Sequence, residues 1–385
     1  MRRALAAVAT AGLLTGLGTA CSPGGTEVTY DVEDAPTASP TASAPASSAT
    51  EEPTTAPSES GGKAGPPRVV ETIATGLQAP WGLDFFADGD AIVTERDTRR
   101  VLRISGPDHR VTELGTVEEA APVGEAGLLG VALSPTHEED GLVYLYVSTA
   151  EDNRVVRTTI EDDRLGELEP VLTGIPNALV HDGGRLEFGP DGMLYVSTGE
   201  IGERERAQDR DDLGGKILRI TPDGDPAPGN PFGTPVWSWG HRNVQGLAFV
   251  GDRLFASEFG DSTFDELNLI EAGENYGWPE VEGTGGTGSG YVDPQVTWDT
   301  DEASPSGLAY ADGHLWLAAL RGERLWRIDV QGRRASGATP FFVGEHGRMR
   351  TVAAAPDGSL WLTTSNRDGR GQPAEGDDRI LRITP

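Results

Sequence analysis

A phrase that recurs six times constrains this chain more than any other feature. It begins with a small residue and a short apolar run, passes a Pro-Asp-Gly-like turn and ends in an alternating aromatic strand. Trp81-Gly-Leu-Asp-Phe-Phe-Ala-Asp-Gly-Asp-Ala-Ile-Val-Thr-Glu95 is the first copy, and Arg185-Leu-Glu-Phe-Gly-Pro-Asp-Gly-Met-Leu-Tyr-Val-Ser-Thr198 the third. Taking Gly82, Gly130, Gly184, Gly246, Gly307 and Thr351 as anchors, the copies follow at 48, 54, 62, 61 and 44 residues. Between them runs a second recurring strand, as in Val101-Leu-Arg-Ile104, Lys216-Ile-Leu-Arg-Ile220, Leu325-Trp-Arg-Ile328 and Ile380-Leu-Arg-Ile383. Short strands with Asp-Gly turns at a period near 50 are the mark of a propeller, because a single four-stranded blade cannot bury both its faces alone. The expected fold is therefore all-β, a six-bladed β-propeller of four-stranded antiparallel blades. Arg68 to Ile73 are expected to complete the last blade and remove the open sheet edge. Two packed sandwiches or another blade number are the alternatives.

The repeat occupies residues 67–385 of a 385-residue chain, and the remainder reads differently. Arg2 and Arg3, an apolar run from Ala4 to Leu17 and the small residues before Cys21 form a secretory signal, too short to span a bilayer. A cysteine at the cut resembles a bacterial lipoprotein signal, so residues 1–21 are expected to end in a lipidated Cys21; an ordinary signal with an incidental cysteine is the alternative. Residues 22–66 are mostly Ser, Thr, Pro, Ala and Gly and cannot bury enough apolar surface to offset their ordering entropy; they are expected to be a tether. The expected location is extracytoplasmic, with membrane attachment only through the lipid.

A formal charge of -30 excludes a nucleic-acid partner, since phosphate neutralisation needs a basic face. Residues 1–66 carry three basic and seven acidic residues, so -26 of that charge belongs to the repeat region.

Function must be sought in particular residues. Of six histidines, His109, His137 and His314 lie among turn residues and are read as solvated. His181 precedes Asp182-Gly-Gly-Arg185, where glycines allow close approach to a ligand. His241 lies in Trp237-Ser-Trp-Gly-His-Arg-Asn-Val-Gln-Gly246, either a structural hydrogen-bond corner or, with Arg242, Asn243 and Gln245, a set of donors for an anionic or carbonyl-rich ligand. Carboxylates among glycines from Glu258 to Glu266 and around Tyr276 suit a hard cation, though spacing alone equally fits a solvated acidic loop. Arg321, Arg348 and Arg350 recur beside the repeat phrase and are candidates for an anion pocket in an otherwise acidic protein.

Seven motifs in order carry a resemblance: Gly127-Leu-Leu-Gly-Val-Ala-Leu-Ser-Pro135, His181-Asp-Gly-Gly-Arg-Leu-Glu-Phe-Gly-Pro-Asp-Gly192, Gly215-Lys-Ile-Leu-Arg219, Gly240-His-Arg-Asn-Val-Gln-Gly-Leu-Ala248, Asp265-Glu-Leu-Asn-Leu-Ile270, Asn275-Tyr-Gly-Trp-Pro279 and Gly347-Arg-Met-Arg350. Together they resemble the glucose/sorbosone dehydrogenase family, six-bladed quinoproteins that use pyrroloquinoline quinone (PQQ) and Ca²⁺. The resemblance implies oxidation of an aldose at its anomeric carbon to the lactone, with electrons passed to an external acceptor. It implies His181 as general base, Arg242 as the group stabilising charge on the quinone, and Asn243, Arg321, Arg348 and Arg350 as cofactor contacts. For metal it implies Glu266, the Tyr276 carbonyl and the adjacent Asp265 at a structural Ca²⁺, and backbone carbonyls near Gly260 and Asp261 at the Ca²⁺ touching PQQ. Glu200 and Gln245 are implied on the substrate side. Three positions depart from the family pattern: Glu125 stands where a cofactor-contacting glutamine is usual, Asp261 replaces a proline, and Val180 stands where an aspartate would precede His181. A Ca²⁺-dependent sugar lactonase, or a non-catalytic carbohydrate- or protein-binding propeller, are the competing functions.

Overall fold

Six inner strands, four of them anchored by Gly82, Gly130, Gly246 and Gly307, meet around one axis in the computed structural model, which describes residues 65–385. The expected signal sequence, Cys21 and nearly all of the proposed tether lie outside the described residues. Blades one to five each run as four antiparallel strands in sequence order, with the first innermost. Blade one is Pro80–Phe85, Ala91–Glu95, Arg100–Ser105 and Arg110–Thr116. Blade two is Leu128–Leu133, Leu142–Ser148, Asn153–Glu161 and Glu169–Ile175, with the short Arg164–Leu165 added to its third strand. Blade three is Leu186–Phe188, Leu194–Ser197, Lys216–Ile220 and Val236–Trp239, and blade four Val244–Val250, Arg253–Glu258, Phe264–Ile270 and Val296–Asp299. Blade five is Pro305–Ala311, His314–Ala319, Arg324–Gln331 and Arg334–Phe341.

Blade six closes the ring. Met349–Ala354, Leu360–Thr364 and Ile380–Thr384 take their outer strand from the start of the chain, Arg68–Ala74, with Arg68 opposite Thr384 and Ala74 opposite Ile380. The expected propeller and its closing strand are both present.

The anchor residues are small because the inner strands nearly touch. A Cβ on Gly130 would lie 2.2 Å from the Gly184 carbonyl oxygen, and one on Gly246 2.2 Å from that of Ser306. Hydroxyls on the second strands lock the same seam. Thr94 Oγ1 accepts from Gly82 N and donates to the Leu129 carbonyl of the next blade at 2.5 Å, and Ser257 Oγ donates to Ser306 O at 2.6 Å. Ser197 Oγ accepts from Arg185 N and donates to Val244 O at 2.8 Å. Where the last anchor is Thr351, its own hydroxyl donates to Trp81 O, joining blade six to blade one. Between blades the cores are apolar sandwiches, such as Trp298, Leu308, Leu315, Trp326 and Ile328 between blades four and five.

Loops entering the inner strands and loops leaving the second strands emerge on one face. His181, His241 and Arg348 stand on entering loops, and each bonds a carboxylate beyond its own blade's second strand or at that strand's end: Glu200, Glu258 and Asp368. The site is therefore built by the ring as a whole.

Candidate active site

His181 adopts a left-handed backbone, φ +59°, in the loop leading into blade three. Its backbone N–H donates to Glu125 Oε2 at 2.9 Å, and its Nδ1 lies 2.6 Å from Glu200 Oε1. Glu200 is 1% exposed whereas the imidazole keeps partial access to solvent. Nε2 makes no hydrogen bond among the described residues, so a partly exposed histidine is held at one nitrogen by a buried carboxylate and keeps the other unbonded. Such a group can take a proton from a hydroxyl brought to it.

Next to it is a concentration of guanidinium groups in a strongly acidic protein. Arg348 donates from Nε to Asp368 Oδ2 at 2.9 Å, Arg350 Nη2 stands 3.6 Å from the same oxygen, and Arg96 Nη2 donates to the Asp368 carbonyl at 3.2 Å. Burial works to raise the Asp368 carboxyl, and Arg350 and Arg348 more than offset it, so it lies below its ordinary value. Burial, aided by Arg96 and Arg348, lowers Arg350 to about 9. Arg350 also donates to Gln245 Oε1 at 2.8 Å. The Asp368 carboxylate thus faces two arginines, a third holds its backbone carbonyl, and among the described residues Arg350 keeps a buried Nε without a partner.

Arg242 repeats the pattern on blade four. It bonds Phe259 O and Asp261 Oδ1, lies 5.4 Å from the Trp278 ring, and leaves its own Nε buried and unpartnered. Unsatisfied buried donors are rare because each forfeits its hydration, so the one on Arg242 and the one on Arg350 each mark a place for an anion.

Between blade four's second and third strands, Glu258, Glu266 and Glu282 line a cavity of about 10 Å³ together with Gly260 and Tyr276. That is room for one water or ion. Burial, and then the neighbouring Glu258, raise Glu266 to about 8. Asn268 Oδ1 is buried there without a partner. The donor set is all oxygen, the chemistry of a hard cation such as Ca²⁺.

The residues expected from sequence divide into groups. His181 and Glu200 meet directly, and Arg348 and Arg350 converge on Asp368. Asn243 is buried and accepts from Gly183 N at 3.1 Å, tying the blade-four loop to the one carrying His181. Glu266 and Tyr276 share the small cavity. Other residues have different roles from those expected. Gln245 is 4% exposed and its Oε1 accepts from Arg350 and Ser306, so it supports an arginine and is not open to a sugar. Glu200 supports the imidazole. Both Asp265 oxygens are occupied, by Gly260 N and Ser304 N, so it braces the cation loop instead of lining the cavity. The amides of residues 261–264 all donate to Glu282 Oε1, and the Asp261 carboxylate pairs with Arg204 and Arg242. Arg321 is exposed at the rim with no ion pair among the described residues. Glu125 pairs with Arg370 at 2.6 Å: burial raises its carboxyl, but the His181 amide and Arg370 leave it below the ordinary value.

Sequence reasoning did not single out Arg96, Asp368, Arg370, Asp182 or Glu282. Glu258, met only as part of an acidic loop, had a usable signal: it follows the hub hydroxyl Ser257 by one residue, as Glu95 follows Thr94. His241 resolves as the structural corner. It is fully buried, with Nδ1 on Glu258 Oε2 and Nε2 on Ser238 Oγ, both at 2.8 Å, and its ring stacked on Tyr276.

Comparison with known proteins agrees with this geometry. A family profile described as Glucose / Sorbosone dehydrogenase matches residues 77–381. The solved PQQ-bound form of an aldose sugar dehydrogenase from Streptomyces coelicolor is 55% identical, with a TM-score of 0.81 over 83% of this chain and 98% of that one. The aldose sugar dehydrogenase YliI of Escherichia coli is 28% identical over 353 residues, 82% of this chain and 92% of that protein. An uncharacterized protein of Synechocystis is 32% identical over 350 residues, 77% and 84% of the two chains.

Proposed function

This chain belongs to the glucose/sorbosone dehydrogenase family, and from that premise we propose that it oxidises an aldose at the anomeric carbon to the lactone, dependent on PQQ and Ca²⁺. The observations that carry the reading are the buried Nε atoms of Arg242 and Arg350, unpartnered among the described residues, and a histidine held by Glu200 at Nδ1 whose Nε2 makes no hydrogen bond there.

A tricarboxylate fits those arginines. Arg242, Arg348 and Arg350 would hold PQQ, with Asn243 beside it and Arg321 reaching in from the rim. PQQ, when bound, supplies the acceptor for the hydride leaving the sugar. His181 takes the anomeric proton at Nε2, and Glu200 stabilises the imidazolium that results. Arg242, already held by Phe259 O and Asp261, would supply fixed positive charge to the acceptor at no reorganisation cost. Glu258 and Glu266, with the Tyr276 carbonyl, would hold Ca²⁺; the carbonyls of Gly260 and Asp261 are proposed for the second. An external acceptor would take the electrons. From the sequence, Cys21 is proposed to be lipidated and the protein to sit outside the cytoplasm on its membrane.

The test uses the full-length chain with Ca²⁺, with and without PQQ, following dye reduction over a panel of aldoses. Reduction that requires PQQ and disappears in His181→Ala supports the reading. Calorimetry showing no PQQ binding sinks it, and lactone hydrolysis without PQQ points to the lactonase.

A further inference from the structure

Asp182 follows the proposed base directly and is 1% exposed. It lies where blade two departs from the hub pattern. At the position of Thr94 and Ser197 in their blades, blade two carries Tyr146, whose hydroxyl passes the seam and donates to the Asp182 carbonyl at 2.8 Å. Asp182 Oδ1 accepts from Asn153 Nδ2 at 3.0 Å and from Ala178 N at 3.2 Å. Asp182 Oδ2, Asn153 Oδ1 and Ser148 Oγ, on residues at most 1% exposed, have no partner among the described residues. Ser148 and Asn153 are directly opposite each other in the ladder, so the three orphans belong to one cluster.

Were Asp182 ionised, two of the three would be pure acceptors, each bearing the penalty of a buried group without a donor. A single proton on Oδ2 changes that. A carboxylic acid facing a carboxamide donates O–H to the amide oxygen while accepting the amide N–H, and one half of that pair, Asn153 Nδ2 to Oδ1, is already in place. The titratable groups facing Asp182 are Glu125 from the loop before blade two, Tyr146 with Asp152 beyond it, and His181 on its own loop. Glu125 adds negative charge, and none of the others is a fixed cation. Burial first, then Glu125, raise Asp182 to about 7.

We propose that Asp182 is a neutral carboxylic acid paired with the Asn153 carboxamide, and that this uncharged pair is a positioning element for His181. Its purpose is electrostatic as well as geometric. Glu125 already holds the His181 amide and Glu200 its Nδ1. A third carboxylate would favour the imidazolium, which cannot accept a proton. As an acid, Asp182 pins the loop through its carbonyl and Oδ1 without adding that charge. The catalytic consequence rests on the function proposed above; the protonation state does not.

The experiment therefore begins without cofactor or sugar, on the full-length protein labelled with ¹³C at aspartate carboxyls. An aspartate resonance that titrates near 7 and is lost in Asp182→Asn is the expected result; titration of that resonance in the ordinary carboxylate range, near 4, overturns the proposal. If Asp182→Asn does not fold, Asn153→Ser assigns the resonance by shifting it selectively. Thermal unfolding gives a second reading. A folded value raised above the unfolded one contributes stability at low pH that is lost as pH rises through the folded value, so wild-type Tm should fall relative to Asp182→Asn between about 4 and about 7 and run parallel beyond. Parallel curves throughout overturn it. In the loaded enzyme, the ratio of variant to wild-type kcat/KM should grow as pH rises past 7, where loss of a merely structural contact would lower the ratio equally at every pH. Absence of any wild-type turnover would count against the proposed activity and leave the resonance test intact.

Discussion

The molecule builds the same pair twice on adjacent blades and uses the two copies differently. His181 bonds Glu200 at 2.6 Å on blade three; His241 bonds Glu258 at 2.8 Å on blade four. In both, a histidine on the entering loop gives Nδ1 to a buried glutamate on the far side of the second strand. They differ at the other nitrogen. Nε2 of His241 is closed by Ser238 Oγ in a ring with no exposure, whereas Nε2 of His181 has no protein partner and the ring reaches solvent. An imidazole–carboxylate pair is thus closed into a structural unit on blade four, whereas on blade three one bond is withheld, and the proposed base is that omission from a repeated pattern.

Breaking the open copy should have the largest effect. His181→Ala removes the proposed base and is expected to lower kcat/KM for aldose-driven dye reduction by about 10²- to 10⁴-fold, while the melting temperature changes little. Glu200→Gln leaves the imidazole but replaces its charged partner with a neutral amide. A hydrogen bond to a charged group contributes about 1.5–3 kcal/mol, so kcat/KM should fall by about 10- to 10²-fold, measured in the same assay. Equal losses from the corresponding changes in the closed pair would erase the distinction. Glu258→Gln should instead show itself in stability. That carboxylate accepts from His241 Nδ1, the Arg242 amide and Asn268 Nδ2, and an amide cannot serve all three. A loss of about 1–3 kcal/mol is expected, read as a drop in the urea midpoint.

The same contrast explains what could be read from sequence. Blades were legible because every copy must solve one packing problem at the hub, so Gly82, Gly130, Gly246 and Gly307 recur where a Cβ would strike the neighbouring strand. His181, Arg242 and Arg348 were legible because each stands just before its own copy of the repeat phrase, ahead of Gly184, Gly246 and Thr351. What escaped was pairing across the ring. Asp368 sits between Arg348 of its own blade and Arg96 of blade one, 272 residues away in the chain, and Arg370 reaches Glu125 over 245 residues. A repeat specifies a residue's place in its blade and is silent about which blade lies opposite. For the same reason Gln245 and Glu200 were placed against the sugar when their partners are Arg350 and His181: both lie at the right height in the ring, and only the opposing side chains show that their oxygens are taken.

Ser238→Ala gives the smallest effect and the sharpest test of the comparison. It removes only the bond that closes His241 Nε2 and leaves the Glu258 pair and the Tyr276 stack in place. If an open Nε2 were sufficient for chemistry, this variant would create a second reactive histidine next to Arg242. It should not. His241 has no exposed surface, so the freed nitrogen faces a methyl-lined gap that neither water nor sugar enters. The cost is one neutral hydrogen bond, about 0.5–1.5 kcal/mol, visible as a modest fall in melting temperature, with kcat/KM unchanged. A histidine-directed acylating reagent should modify His181 along with the solvated histidines, lose one site in His181→Ala and gain none in Ser238→Ala. An additional modified histidine in Ser238→Ala would show that withholding a bond suffices. No additional one would show that the open pair also needs the partial exposure that His181 has and His241 lacks.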